Sequence, residues 1–353
     1  MVSRGCSCGT VNKEYLVEKV TISNVYFEED KGMSKPEVII YGLGKQWETR
    51  KKFLERTFNI IAYSDRKMAD IDNYISPEGL CKTQYQYVYI TSDKYYDEIK
   101  DELIGKYGVD GKKVIGERDA WWYIKNSVTR DKWVIERLKE IPTGKTLLDA
   151  GAGELPYKKY CDHLNYISQD FGQYNGLDSS GGVGLAPEEW NTSHVDIVSD
   201  IAEIPLEDNA VDAILCTEVF EHIKNPLSAL QEFGRICKKG GILLLTAPFC
   251  SLTHFAPYYF TNGFSPYWYE ENLRDFGFKL VEMTSNGNYF DYLRQELLRL
   301  PNVARKYCVG DALVNDGEDS IINTMMLLER LSKEDKGSSE LLCFGYMIKA
   351  MKA

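Results

Sequence analysis

Thr146-Leu-Leu-Asp-Ala-Gly-Ala-Gly-Glu154 decides how this chain is read. The apolar residues predict a buried strand, and the two glycines predict a tight turn at its end. A turn without side chains lets a backbone lie directly against a ligand, and glycine alone tolerates the backbone angles such a turn often needs. Gly151 and Gly153 take those places, with Asp149 as an acidic residue at the strand's end.

Strands and helices alternate downstream of this stretch. Strands are expected at 146–149, 166–169, 194–198, 211–216, 242–246, 279–284 and 341–349, with a helical insertion at about 292–332 between the last two. Alternation of this kind predicts a doubly wound, mostly parallel sheet. Ligands of such sheets lie beyond the carboxyl ends of the strands, where the strand order reverses. Asp149, Gly151 and Gly153 are expected there, and the start of a following helix would add backbone N–H groups. Asp170 ends the second strand about twenty residues later, the spacing at which an acidic residue reaches ribose hydroxyls in nucleotide-binding folds. A carboxylate suits that task because it accepts two hydrogen bonds side by side. Asp200 follows the third strand, and Thr217-Glu-Val-Phe-Glu-His222 follows the fourth.

As an ordered set these residues resemble the class I S-adenosylmethionine (SAM)-dependent methyltransferases of the type 11-like group. Leu147-Leu-Asp-Ala-Gly-Ala-Gly153 is similar to their first motif, Asp170 to their ribose-binding acid and Asp200-Ile201 to their adenine-contacting segment. Thr217-Glu-Val-Phe-Glu-His-Ile223, then Lys239-Gly-Gly241 and the strand after it, complete the likeness. The resemblance implies an α/β fold with a seven-stranded Rossmann-like sheet ending in a reversed hairpin, with SAM as cofactor. It also implies cofactor contacts from Asp149, Gly151, Ala152, Gly153, Asp170, Asp200, Ile201, Thr217 and Glu218. Tyr166-Ile-Ser-Gln-Asp170 and Ala247-Pro-Phe-Cys-Ser-Leu-Thr-His-Phe-Ala-Pro257 look like a bacterial group associated with surface-polysaccharide modification.

A sulfonium-bound methyl group is already activated, so holding the nucleophile in line is the enzyme's main task, worth roughly 7–11 kcal/mol. A general base adds about 10²- to 10⁴-fold. For a hydroxyl acceptor, His222 and His254 are the candidate bases, each following a strand on the ligand side, and Tyr258 is a candidate for binding substrate. His163 and His194 read as structural. A helix cap is the plain alternative for His222. No metal is expected: Glu218 and Glu221 lie three apart and suit one helix face or a cap, and no tight acidic cluster stands beside them.

The first third of the chain reads differently. Residues 1–34 form an extension with one short strand expected around 20–27. Residues 35–116 predict a small Rossmann-like α/β domain, with strands at 38–41, 58–63 and 87–90 and helices at 45–56 and 94–107. Residues 117–145, with Trp121, Trp122 and Trp133, read as a helical connector to the domain at 146–353. Gly42-Leu-Gly44 with Asp65 looks like half of a dinucleotide fingerprint, but Trp47 stands where its third glycine would pack a helix against a strand. The unit resembles small domains found beside sugar-modifying enzymes, so it reads as a nucleotide-sugar site, an assembly surface or a structural domain. Rival readings of the whole are a non-catalytic methyltransferase-like scaffold and an NAD-dependent oxidoreductase using the first domain.

Composition narrows the partners. The 353 residues carry 42 Lys and Arg against 53 Asp and Glu, a net charge of −11. Nucleic-acid binding draws on clustered basic side chains, so nucleic acid is not an expected partner. No apolar run approaches the roughly 18 residues of a membrane span, and no signal-type apolar core opens the sequence, so a cytoplasmic location is expected. The nine cysteines lie mostly in apolar segments and read as reduced core residues. Cys6 and Cys8 lack the second pair a zinc site usually needs. The expected acceptor is a sugar or another small molecule.

Overall fold

A computed structural model describes residues 35–67, 70–174, 191–308 and 316–353. The extension at 1–34, the strand expected around 20–27, the Cys6/Cys8 pair and the Gly/Ser-rich loop at 178–184 lie outside the described residues. The chain divides into two compact units after Tyr123.

In the first unit, β1 (Glu37–Tyr41) is buried at every residue but the first. An apolar run without alternation suits a strand covered on both faces. It pairs in parallel with β2 (Asn59–Ser64) and β3 (Tyr87–Ile90). A short strand the sequence did not announce, β4 (Val114–Gly116), completes a parallel sheet of order β2-β1-β3-β4. Helices α1 (Lys45–Thr57) and α2 (Tyr96–Gly105) connect the strands. Trp47 is only 4% exposed and meets Tyr63 edge-on, with ring centroids 5.5 Å apart. Asp65 joins the loops after β1 and β2: one oxygen accepts from the Leu43 amide at 2.8 Å and the other from the Lys67 amide at 3.0 Å.

The stretch expected as one connector is divided between the units. Trp121 and Trp122 are buried in the first, where their indole N–H groups donate to Thr57 and Glu117. Helix α3 (Asn126–Lys139) opens the second and buries Trp133, Val134 and Leu138.

The second unit contains β5 (Thr146–Ala150), β6 (Asn165–Asp170), β7 (Ile197–Val198), β8 (Val211–Thr217), β9 (Cys237–Pro248), β10 (Phe278–Asn286) and β11 (Gly345–Lys352). Their order is β10-β11-β9-β8-β5-β6-β7, and only β11 runs against its neighbours. This is the seven-stranded α/β sheet with a reversed last strand that the resemblance implied. The order reverses at β5, which has β6 on one side and β8 on the other. Successive core residues serve opposite faces, as the period of two in a strand demands. Leu148, Ile214, Leu243 and Leu245 pack with α4 (Pro226–Ile236) and α5 (Pro266–Asp275). Leu147, Ala213, Leu215 and Leu244 pack with α3. Each such leucine or isoleucine contributes roughly 1.5–3 kcal/mol by leaving water.

Some boundaries differ from expectation for physical reasons. The strand expected at 194–198 shrinks to β7. It lies on the sheet edge, and the carboxylate of Asp196 is taken by the Ser168 amide and hydroxyl at 2.9 and 2.7 Å. The last strand begins at Gly345 rather than 341, where a side chain would run into the Ala247 carbonyl. Helices α6 (Tyr289–Tyr307) and α7 (Asp316–Lys333) lie where the insertion was expected, and they pack on each other. Among the described residues no helix is long and apolar enough to cross a membrane.

Candidate functional site at the carboxyl edge of the second sheet

The turn after β5 is pinned by the end of β6. Gly151 has φ +75°, and its amide and that of Ala152 both donate to the Gln169 carbonyl at 2.9 Å. A Cβ on Gly151 would lie 2.5 Å from the Val219 side chain, so the loops after β5 and β8 touch here. Gly153, at φ +51°, donates its amide to Asp170 Oδ2 at 3.0 Å, and the Gly172 amide donates to Asp170 Oδ1 at 2.9 Å. Asp170 therefore joins the glycine turn to the loop that follows β6.

The helix start expected after this turn is absent. The chain runs through turns to a single 3₁₀ segment, Lys158–Tyr160. Pro156 disfavours helical geometry in the residue before it, and Leu155 takes φ +58°. No helix N-terminus faces the site from this loop.

Asp149 is 1% exposed, and its carboxylate accepts from the Tyr166 hydroxyl at 2.6 Å. Burial pushes its pKa up to about 7; the Tyr166 hydrogen bond opposes this and the nearby Asp170 charge adds to it. It braces the strand end from inside, whereas Gly151 and Asp170 are only partly buried.

The remaining expected contacts follow the neighbouring strands. The Ser199 amide donates to the Asp170 carbonyl at 3.1 Å, which sets Asp200 and Ile201 immediately beside the end of β6. Asp200 is exposed and accepts from the Ala202 amide, while Ile201 is buried in the core. Thr217 ends β8 opposite Thr246 of β9. Glu218 then turns the chain with φ +55°. Its carboxylate accepts from the Thr246 hydroxyl at 2.9 Å and pairs with Arg130 of α3 at 3.1 Å. Burial works against the Arg130 charge, but Glu218, Tyr157 and Asp131 outweigh it and hold the guanidinium protonated. Sequence reasoning missed Arg130, since nothing local marks a helical arginine as the partner of a residue 88 positions away.

Aromatic side chains from two loops meet across this edge. Phe171 contacts Tyr258 with ring centroids 5.4 Å apart, and Tyr174 contacts Phe255 at 4.6 Å. The first of each pair follows β6 and the second follows β9, while β5 and β8 lie between those strands. The contacts thus span the carboxyl ends of the two central strands. Phe171 and Tyr174 were also missed, although their position directly after Asp170 was a usable signal.

Both candidate histidines lie in this region, beside an acid that sequence reasoning had set on a helix face. The Glu221 side chain is 2% exposed, and its Oε2 has no hydrogen-bond partner. Burial pushes its carboxyl well above the ordinary range, with the Glu218 charge adding to the effect. The Glu221 carbonyl accepts from the Phe260 amide at 2.9 Å, tying the loop after β8 to the loop after β9. His222 Nδ1 lies 2.6 Å from the Tyr258 carbonyl and His254 Nδ1 lies 2.8 Å from the Leu252 carbonyl. Their Nε2 atoms lie 3.6 and 3.9 Å from Glu221 Oε1. Burial lowers the pKa of His222 to about 4 and lowers that of His254. Ligand atoms of the three residues all fall within 4.8 Å of one another. Tyr258 thus serves through its carbonyl as well as its ring.

Comparisons with known proteins follow this geometry. Residues 148–245 match the family model described as "Methyltransferase domain". Residues 34–115 match the one described as "C2185-like, N-terminal". A probable S-adenosylmethionine-dependent methyltransferase of Mycolicibacterium smegmatis is 28% identical over 131 residues, 37% of this chain and 46% of that protein. The chain thus spans about half the length of that relative. A demethylmenaquinone methyltransferase of Protochlamydia amoebophila is 26% identical over 181 residues, 47% of this chain and 68% of that protein. The solved structure of a geranyl diphosphate methyltransferase in complex with SAM aligns with TM-score 0.39 at 14% identity, covering 71% of this chain and 94% of that one.

Proposed function

We propose that the second unit, which belongs to the class I methyltransferase family, binds SAM along the carboxyl ends of β5, β6 and β8. We assign it transfer of the SAM methyl group to a hydroxyl of a sugar, a glycan precursor or another small molecule in the cytoplasm. In this reading residues 146–353 form the catalytic domain and residues 35–116 a separate small domain. The observation that carries it is the shared edge: the glycine turn, Asp170 and Asp200 lie on neighbouring strand ends, linked by hydrogen bonds from Gly153 to Asp170 and from Ser199 to the Asp170 carbonyl.

When bound, SAM supplies a methyl carbon on a positively charged sulfur. The bare Gly151 would keep the turn closed against Val219 beside the cofactor, and Asp170 would offer a carboxylate oxygen to the ribose hydroxyls. Asp200 and Ile201 would flank the adenine. The aromatic group Phe171, Tyr174, Phe255 and Tyr258 gives an acceptor ring surfaces to lie against and keeps water away. His222 and His254 hold the acceptor side, with their Nε2 atoms turned toward Glu221. Held there, an acceptor hydroxyl would take the methyl carbon as the carbon–sulfur bond broke, and its proton would leave to a neighbouring base or water.

Incubation with methyl-labelled SAM and a panel of nucleotide sugars and glycan fragments tests the reading. Label should move to a hydroxyl-bearing acceptor. A protein that binds SAM yet leaves every acceptor unlabelled while methylating none of the other small molecules tried would support the scaffold reading instead.

A further inference from the structure

We propose that Glu221, His222 and His254 form a binding site for one divalent transition-metal ion. The argument begins with protons. A backbone carbonyl only accepts hydrogen bonds, so the contacts to Tyr258 and Leu252 place a proton on Nδ1 of each histidine. In the neutral ring Nε2 is then a bare lone pair. Both lone pairs approach Glu221 Oε1, at 3.6 and 3.9 Å, too far for hydrogen bonds. With Glu221 ionised, three acceptors converge with no donor between them, and the acid is buried with its second oxygen unpartnered. Burying such a group without a partner is costly, and a cation at the point of convergence removes the cost.

The geometry suits a metal. Bonds of about 2.0–2.2 Å to nitrogen and oxygen set neighbouring ligand atoms roughly 3–3.5 Å apart. The two Nε2–Oε1 separations, 3.6 and 3.9 Å, lie just above that range, and all three ligand atoms fall within 4.8 Å of one another. The Nδ1–H contacts to carbonyls are the outer hydrogen bonds that orient metal-binding histidines and fix their tautomer. Two imidazoles and one carboxylate favour ions from Mn²⁺ to Zn²⁺ over Mg²⁺ or Ca²⁺, which prefer all-oxygen sites. Three protein ligands leave positions open for an acceptor. Its use in catalysis rests on the methyltransferase reading: a hydroxyl bound to the ion would lose its proton to water more readily and be held in place for the methyl carbon.

The test uses the full chain carrying Cys6→Ser, Cys8→Ser, Cys81→Ser and Cys308→Ser, which removes the close pair and the exposed free thiols, stripped with chelator and titrated with Co²⁺ and Zn²⁺. Calorimetry should show one ion per chain, and Co²⁺ should give visible absorption bands of nitrogen and oxygen ligation. Glu221→Gln and His254→Ala should each weaken binding at least about tenfold, whereas His194→Ala, at an exposed position, should not. His254 is in a loop and only partly buried, so its variant keeps the test sound if Glu221→Gln fails to fold. SAM is titrated into the same samples. A chain that binds SAM but no ion, or binds the ion equally well in folded ligand variants, overturns the site. A chain that binds the ion but not SAM supports the site and overturns the methyltransferase reading.

Discussion

Gly151 is the position where one methyl group decides most. An alanine there must hold φ +75° and place its Cβ 2.5 Å from Val219, so the turn has to move. Strain of this kind costs about 1–3 kcal/mol. Gly151→Ala should lower the melting temperature and weaken SAM binding together, whereas Gly144→Ala, also at positive φ but with open space around it, should affect stability alone. Unchanged SAM affinity in Gly151→Ala would remove the turn from the cofactor site. The glycine turn was legible because it closes a strongly apolar run, and Asp170 because it ends the next strand about twenty residues on. The convergence of Glu221, His222 and His254 was not. His222 and His254 are 32 residues apart, and only the parallel register of Thr217 with Thr246 brings the loops carrying them side by side.

At the scale of elements, α3 is bound to β10 by the Asn126–Asn286 hydrogen bonds and by one carboxylate. Glu282 accepts from both Arg137 and the Trp133 indole, each at 2.9 Å. Arg137 foremost, then Trp133, holds the Glu282 pKa down at about 2, against an ordinary value of 4.5. Between those values the unfolded chain carries the proton and the folded chain does not, so stability rises with pH there. The stabilisation is complete above pH 4.5 and fades as pH falls toward 2. Glu282→Gln should flatten that acid limb in denaturant titrations and leave the slope near pH 7 unchanged. An identical acid limb would show that the pair contributes nothing. The long buried strands could be read from apolar runs alone. The short ones could not: β4 has three residues and β7 two, too few for any pattern. The missing helix after β5 follows from Leu155-Pro156, a local signal that the glycine motif masked.

For the whole molecule, two α/β units follow one another, each with a glycine turn after its first strand. In the first, Trp47 fills the space where dinucleotide folds need a glycine. A titration with NAD should therefore show no binding, and saturable binding would revive the oxidoreductase reading. The mostly parallel sheet of the second unit was within reach of the sequence, because apolar runs alternate with helices, and its reversed end came from the family resemblance. The extent of the connector was not, since tryptophans at 121, 122 and 133 look alike in sequence while serving different cores.

The central claim is that the second sheet's carboxyl edge holds SAM, and calorimetric titration of SAM into the full chain and into Asp170→Ala tests it most directly. The account predicts one site per chain, with a loss of about 1.5–3 kcal/mol in the variant as hydrogen bonds to a charged group disappear. A wild-type chain that takes up no SAM, or a variant that binds it as tightly as the wild type, would contradict it.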